Sequence, residues 1–201
     1  MKIIGLTGGI ASGKSSVAAW LRERGLDIFD ADRKIHALYA DPAVREMIAG
    51  QFGARYAGGD AASRREIGNL VFADPDALRR LENILYPALS ANWRAAVAET
   101  AKKGAAVLFY DVPLLYEKNL ESNVDAVWVV YATPAQQLKR AMERSGLTAA
   151  EVRSRMAAQM PLDDKIWRAD AVVWNDGAWE KTETQLADLT AAWRLITPPP
   201  E

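Results

Sequence analysis

Between the apolar run Ile3-Ile4-Gly5-Leu6 and the segment Ser16-Val17-Ala18-Ala19-Trp20-Leu21-Arg22 lies Gly8-Gly9-Ile10-Ala11-Ser12-Gly13-Lys14-Ser15, a G-x-x-x-x-G-K-S pattern. A glycine-rich loop of this kind carries meaning only where it leaves a buried strand and opens a helix. Both flanks meet that condition: Val17, Trp20 and Leu21 fall at helical spacing, and Gly25 supplies a stop. Such a turn curls main-chain N–H groups inward, and the helix N-terminus adds partial positive charge for a phosphate. The pattern predicts a P-loop that binds a nucleoside triphosphate through Gly9, Ile10, Ala11, Ser12, Gly13, Lys14, Ser15 and Ser16. Lys14 is expected to reach the terminal phosphates, and the Ser15 hydroxyl to ligate the accompanying Mg²⁺.

Five short apolar runs read as buried strands: Lys2–Leu6, Asp27–Phe29, Ala106–Tyr110, Ala126–Tyr131 and Ala171–Trp174. Continuous rather than alternating apolar runs suit a parallel sheet covered on both faces. With helical patterns between them, they predict a three-layer α/β/α P-loop NTPase fold with a five-stranded parallel sheet and right-handed crossovers. Ligands in such sheets bind beyond the carboxyl ends of the strands, so charged residues just after a strand become site candidates. Asp30 and Asp32 follow the second run, and Asp111 follows Val107-Leu108-Phe109-Tyr110. Four apolar residues ending in Asp suit either a helix cap or a carboxylate that helps hold Mg²⁺; beside a P-loop the metal role is the expectation, which pairs Asp111 with Ser15 as metal ligands. Asp32, followed by a helix, is the candidate proton acceptor for phosphoryl transfer; its bland alternatives are a helix cap and an indirect, water-mediated contact to Mg²⁺.

The stretch between the second and third strands is too long for a simple crossover. Its pattern gives helices over Arg33–Tyr39, Pro42–Phe52, Arg65–Phe72, Pro75–Leu85 and Pro87–Lys103, with a loop over Gly50–Ser63. We therefore expect one kinase-like domain over 1–201: a core of 1–30, 105–145 and 169–201, a helical substrate-binding insert of 31–104, and a lid of 146–168. The lid carries Arg153, Arg155, Lys165 and Arg168, and is preceded by Arg140 and Arg144, four apart on one helix face. Guanidinium groups match phosphate oxygens with two parallel donors, so Arg140 and Arg144 are candidate catalytic groups beside Lys14.

The formal net charge of −1 gives no sign of a nucleic-acid or membrane-surface partner, and no apolar run approaches the ~20 residues of a membrane span. The absence of cysteine removes disulfides, thiol nucleophiles and Cys-ligated zinc, and suits a cytoplasmic protein. A signal peptide has no room ahead of the first strand. A GTP switch protein would carry Asp-x-x-Gly after the third strand and Asn-Lys-x-Asp later; Asp111 is followed by Val112-Pro113-Leu114, and Asn175 by Asp176-Gly177. A small-molecule kinase fits better. The alternatives are a nucleoside or nucleoside-monophosphate kinase and a non-catalytic nucleotide-binding module. His36, the one histidine, reads as a surface or packing residue.

Taken in order, these blocks resemble the dephospho-CoA kinase family over nearly the whole chain. The resemblance rests on Ile4 through Ser15, Asp30-Ala31-Asp32, Arg65 through Val71-Phe72, Leu81-Glu82-Asn83-Ile84-Leu85-Tyr86-Pro87, Asp111-Val112-Pro113-Leu114-Leu115-Tyr116-Glu117, Gln137 to Arg144, Gln159, and Ala169-Asp170 to Asn175-Asp176-Gly177. It implies ATP-dependent, Mg²⁺-assisted phosphorylation of the ribose 3′-hydroxyl of dephospho-CoA, the last step of coenzyme A synthesis. It further implies Asp32 as base, with Arg140 and Arg144 on the ATP phosphates and Asn175 and Gly177 beside the adenine. Arg65, Tyr86, Pro87, Pro113, Leu114, Leu115 and Glu117 would hold dephospho-CoA. ATP and dephospho-CoA are then the partners of a monomer or small homo-oligomer. Two positions depart from the family's usual residues: Ala11 stands for Gly, and Tyr86 for His. Ala11 is tolerable only if the loop does not require positive φ there.

Overall fold

The structure is a computed structural model that describes residues 1–195 of the 201. The Pro198-Pro199-Pro200 tail and the end of the expected core segment lie outside the described residues. The strands are β1 (Lys2–Gly8), β2 (Asp27–Asp30), β3 (Val107–Asp111), β4 (Ala126–Tyr131) and β5 (Ala171–Trp174). They form one sheet in the order β2-β3-β1-β4-β5, with β1 parallel to both β3 and β4, and β4 parallel to β5. Every residue of β3 is buried, as the continuous apolar run requires. β1 and β3 each run further than expected, to Gly8 and Asp111, because pairing in the sheet carries the extended backbone past the last apolar side chain.

The chain divides into two compact units, one of Met1–Phe29 together with the chain from Thr100 onward, the other of Asp30–Glu99. In the first, Ile4 and Leu6 of β1, Phe109 of β3, Trp128 and Val130 of β4 and Val173 of β5 share a core with Val17, Trp20 and Leu21 of α1 (Lys14–Glu23). Leu186 of α9 (Trp179–Ala192) closes the same cluster. Trp128 is fully buried and meets Phe109 and Trp193 edge-on, with ring centroids 5.3 and 5.6 Å away. Aromatic edges on faces give this core attraction beyond area alone.

The second unit holds α2 (Ala31–Leu38), α3 (Pro42–Phe52), α4 (Ala61–Ala73) and most of α5 (Pro75–Lys102). Asp30, Asp41 and Asp60 cap the first three through their carboxylates, accepting from the N–H groups of Arg33, of Ala43 and Val44, and of Ser63 respectively. Leu38, Val44, Ile48, Tyr56, Ile67, Leu81 and Leu85 make its own core. Two helices were expected where α5 runs unbroken, with Pro87 in its interior. A mid-helix proline costs about 3 kcal/mol. The apolar stripe Ala77, Leu81, Ile84, Leu85, Ala88, Leu89 continues across Pro87, and its burial against this core outweighs the break. The expected loop over Gly50–Ser63 is also shorter: α3 reaches Phe52, a 3₁₀ turn spans Ala54–Ala57, and α4 begins at Ala61.

The first unit also contains α6 (Pro134–Ser145), α7 (Ala149–Ala157) and α8 (Leu162–Trp167). Thr133 and Thr148 open α6 and α7 with reciprocal capping boxes, and Gly146 closes α6 in the left-handed conformation. Among the described residues no helix is long and apolar enough to cross a membrane.

The turn from β1 into α1 contains Ala11 at φ 53°, so this position does require the left-handed backbone that its Cβ disfavours. Ala11→Gly should therefore raise stability, by about 1 kcal/mol, seen as a higher Tm in thermal unfolding. A lower Tm would show that position 11 carries no strain.

Candidate active site

The loop that leaves β1 sorts its main-chain N–H groups into two sets. Ser12 N–H donates to Gly9 O at 3.1 Å and Ser16 N–H to Gly13 O at 2.9 Å, while Ile10 N–H donates to the Gln159 side-chain oxygen at 3.0 Å. Among the described residues, the N–H groups of Ala11, Gly13, Lys14 and Ser15 find no protein acceptor. Orphan amides on a turn that opens a helix form a concave anion site. Gly13 has φ 99°, and any Cβ there would overlap the Asn175 side-chain amide, so both backbone shape and space require glycine.

Lys14, on the first turn of α1, contacts the Asp111 carboxylate at the end of β3; their side chains are 15% and 4% exposed. The register places Asp111 beside Leu6 of β1, so sheet pairing brings the two strand ends together. Ser15 is exposed next to Lys14. The Ser15 hydroxyl and the Asp111 carboxylate are hard oxygen donors, and no group of three or more His, Cys, Asp or Glu among the described residues forms an all-protein metal cage. Two protein ligands completed by phosphate oxygens and water suit Mg²⁺.

Asn175, expected beside adenine, spends its side chain on the loop: its amide donates to Ser12 O at 2.8 Å, and its carbonyl accepts from Thr182 Oγ1 at 3.3 Å. Its main-chain oxygen accepts from the Arg140 guanidinium at 3.0 Å, and Gln136 donates to Asp176 O at 2.7 Å. α6 thereby clasps the 175–177 turn, with Gly177 exposed at its crest. Arg144 lies exposed one turn beyond Arg140 on α6.

After β3, Pro113 O accepts from Thr7 Oγ1 at 3.0 Å, and Leu114 is half-buried. Leu115, an expected substrate contact, is fully buried, with Gly5 of β1 leaving it room. Glu117 Oε1 accepts from Met160 N–H at 2.9 Å and pairs with Lys165 at 2.8 Å. Tyr116 pins the same loop by donating to Arg168 O at 2.9 Å, and burial pushes its phenol up to about 12. Of the basic residues expected on a lid, Arg153 and Arg155 are exposed, whereas Arg168 pairs with Glu121 and Lys165 is wholly buried. Lys165, Gln159 and Thr182 are site-shaping residues that spacing did not reveal: Lys165 and Gln159 reach partners 157 and 149 residues away, and Thr182 acts through Asn175. The glutamine block was the one visible signal.

The second unit carries the remaining candidates. Asp32 is exposed in the first turn of α2, where Asp30 rather than Asp32 is the cap. Of the two bland roles, capping therefore falls to Asp30 and not to Asp32. Arg65 is exposed on α4. Tyr86 and Pro87 lie within α5, not on a turn, and Tyr86 OH donates to Glu82 Oε1 at 2.7 Å. His36 is exposed, as expected.

A protein-family profile described as dephospho-CoA kinase matches residues 2–181. A curated dephospho-CoA kinase of Anaeromyxobacter dehalogenans is 48% identical, the alignment covering 100% of this chain and 99% of that protein. Among solved structures, TT1252 from Thermus thermophilus superposes with a TM-score of 0.82 at 36% identity, over 95% of this chain and 97% of its own. A dephospho-CoA kinase from Campylobacter jejuni shares the fold, with a TM-score of 0.65 at 21% identity over 96% and 97% of the two chains. With the P-loop, the strand order and the Asp111–Glu117 loop already in place, the match leaves one conclusion: the chain belongs to the dephospho-CoA kinase family.

Proposed function

We infer that the chain transfers the terminal phosphoryl group of ATP to the ribose 3′-hydroxyl of dephospho-CoA, yielding coenzyme A and ADP. The observation that carries this reading is the meeting of Lys14 and Asp111 beside four unsatisfied loop amides, in a chain of this family. Phosphoryl transfer asks a protein for in-line placement, neutralisation of the charge on the moving group, and a destination for the acceptor's proton.

The amides of Ala11, Gly13, Lys14 and Ser15 bind the phosphates from below, and the Lys14 ammonium leaves Asp111 for the terminal phosphates. Ser15 and Asp111 would hold Mg²⁺, which when bound neutralises charge shared between the phosphates. Arg140 and Arg144 supply further donors to phosphate oxygens. Asp32 accepts the proton of the 3′-hydroxyl as its oxygen bonds to the γ-phosphorus, and the bond to the β–γ bridging oxygen breaks to release ADP. Gly9, Ile10, Ser12 and Ser16 shape the nucleotide loop, and Asn175 and Gly177 form the turn beside adenine. Arg65, Tyr86, Pro87, Pro113 and Leu114 contact dephospho-CoA, while Leu115 and Glu117 support their loop from within. The exposed α7 arginines, Arg153 and Arg155, suit a lid that excludes water from the reacting groups. We place the reaction in the cytoplasm.

Asp32→Asn should leave ATP affinity intact and lower turnover by roughly 10²-fold or more, the usual consequence of losing a general base. Calorimetry with an ATP analogue and a steady-state assay on dephospho-CoA check both halves; unchanged turnover removes Asp32 from the role. Lys14→Ala should cost roughly 10²- to 10³-fold in turnover, since a preorganised charge on the transferred group is lost. A fully active Lys14→Ala enzyme would contradict the P-loop mechanism.

A further inference from the structure

Lys165 is the one lysine of the described residues that the fold buries completely. It projects from α8, and its three ammonium donors find three acceptors: Glu117 Oε1 at 2.8 Å, Pro113 O at 3.1 Å and Gly8 O at 3.5 Å. Burying an ammonium and a carboxylate together costs several kcal/mol per ion in desolvation, and an apolar pair of the same volume often stabilises a protein as well or better. Stability alone is therefore a poor reason for a charge at this place.

The identity of the two carbonyls supplies a better one. Gly8 is the last residue of β1 and launches the phosphate loop; Pro113 lies two residues beyond Asp111 at the exit of β3. Lys14 and Asp111 meet only if these two exits keep a fixed separation. Thr7 Oγ1 reaches Pro113 O from β1, but among the described residues only Lys165 joins Gly8 O, Pro113 O and the carboxylate of the Asp111–Glu117 loop through a single atom. Glu117 also accepts from Met160 N–H, which ties the turn before α8 into the same knot. Because Glu117 neutralises the ammonium at close range, Lys165 acts on the phosphates through position and not through its field.

We propose that Lys165 is a positioning residue of the phosphotransfer site, whose buried ammonium fixes the exits of β1 and β3 so that Lys14 and Asp111 are delivered to one point. The proposal rests on the kinase activity inferred above for its turnover readout, but not for its nucleotide-binding readout.

The test compares Lys165→Met, Glu117→Gln and the pair Glu117→Gln/Lys165→Met, each as the full chain, by Tm, by kcat at saturating ATP and dephospho-CoA, and by the Kd of a non-hydrolysable ATP analogue with Mg²⁺. Each single variant leaves one buried group without its counter-charge, so both should melt below the parent protein, and the pair should melt above either. Turnover is expected to part company with stability. The pair should stay about 10- to 100-fold below the parent in kcat, below Glu117→Gln alone, and no better than Lys165→Met, the scale on which ångström misplacement acts. Lys165→Arg, which keeps a buried cation able to donate to both carbonyls, should restore part of kcat. If kcat instead recovers with Tm in the pair, or if the pair does not fold, the knot serves stability and the proposal is overturned. Were the parent protein inactive on dephospho-CoA, the family activity would fail separately. The analogue's Kd would then decide for Lys165: about tenfold weaker binding in the pair supports it, and unchanged binding overturns it.

Discussion

A phosphate cradle made of main-chain amides has to keep those amides without protein partners, although an unpaired polar group is costly wherever water is excluded. The loop between β1 and α1 meets this constraint by being held through groups other than the amides it offers. Its Ser12 carbonyl is taken by Asn175, its Ile10 N–H by Gln159, and the Gly8 carbonyl by Lys165. Each of these side chains comes from the chain after α7 begins, so the last quarter of the sequence fixes a turn in the first fifteen residues. The amides of Ala11, Gly13, Lys14 and Ser15 are what remains for a ligand.

The same economy appears at the strand exits. Sheet register sets Asp111 beside Leu6, and Lys14 closes the gap from the helix side. There the Lys14 ammonium and the Asp111 carboxylate meet as an ion pair, each largely shielded from solvent. Around them, Thr7, Pro113, Glu117 and Tyr116 hold the loop after β3 through bonds to Pro113 O, Met160 N–H and Arg168 O. Function here depends on which hydrogen-bonding groups are used up as much as on which are left.

Much of this was legible in the sequence. The five apolar runs mark the five strands because a sheet buried on both faces needs no alternation, and the G-x-x-x-x-G-K-S spacing marks the turn because its chemistry is local. The Asp111–Glu117 block pointed to the family. What stayed hidden depends on long-range packing. Pro87 looked like a helix break, yet the apolar stripe on both sides of it packs into the core of the second unit and carries α5 through. Lys165 looked like one more basic residue of a lid; the fold brings it to Gly8 and Pro113. That the Asn175 side chain grips the loop was not visible in the sequence either, since its partner Ser12 lies 163 residues away. Ala11 shows the opposite case, a local rule that the sequence did pose and the backbone answered, with a positive φ that glycine would adopt freely.

The most direct measurement is a Mg²⁺/ATP turnover assay on dephospho-CoA, adenosine, AMP and shikimate, with products identified by mass and the new phosphate located by ³¹P NMR. A phosphate on the ribose 3′-oxygen of dephospho-CoA, with no transfer to the other acceptors, is the result expected. Transfer to a different acceptor and none to dephospho-CoA, or ATP binding with no transfer at all, would contradict the account.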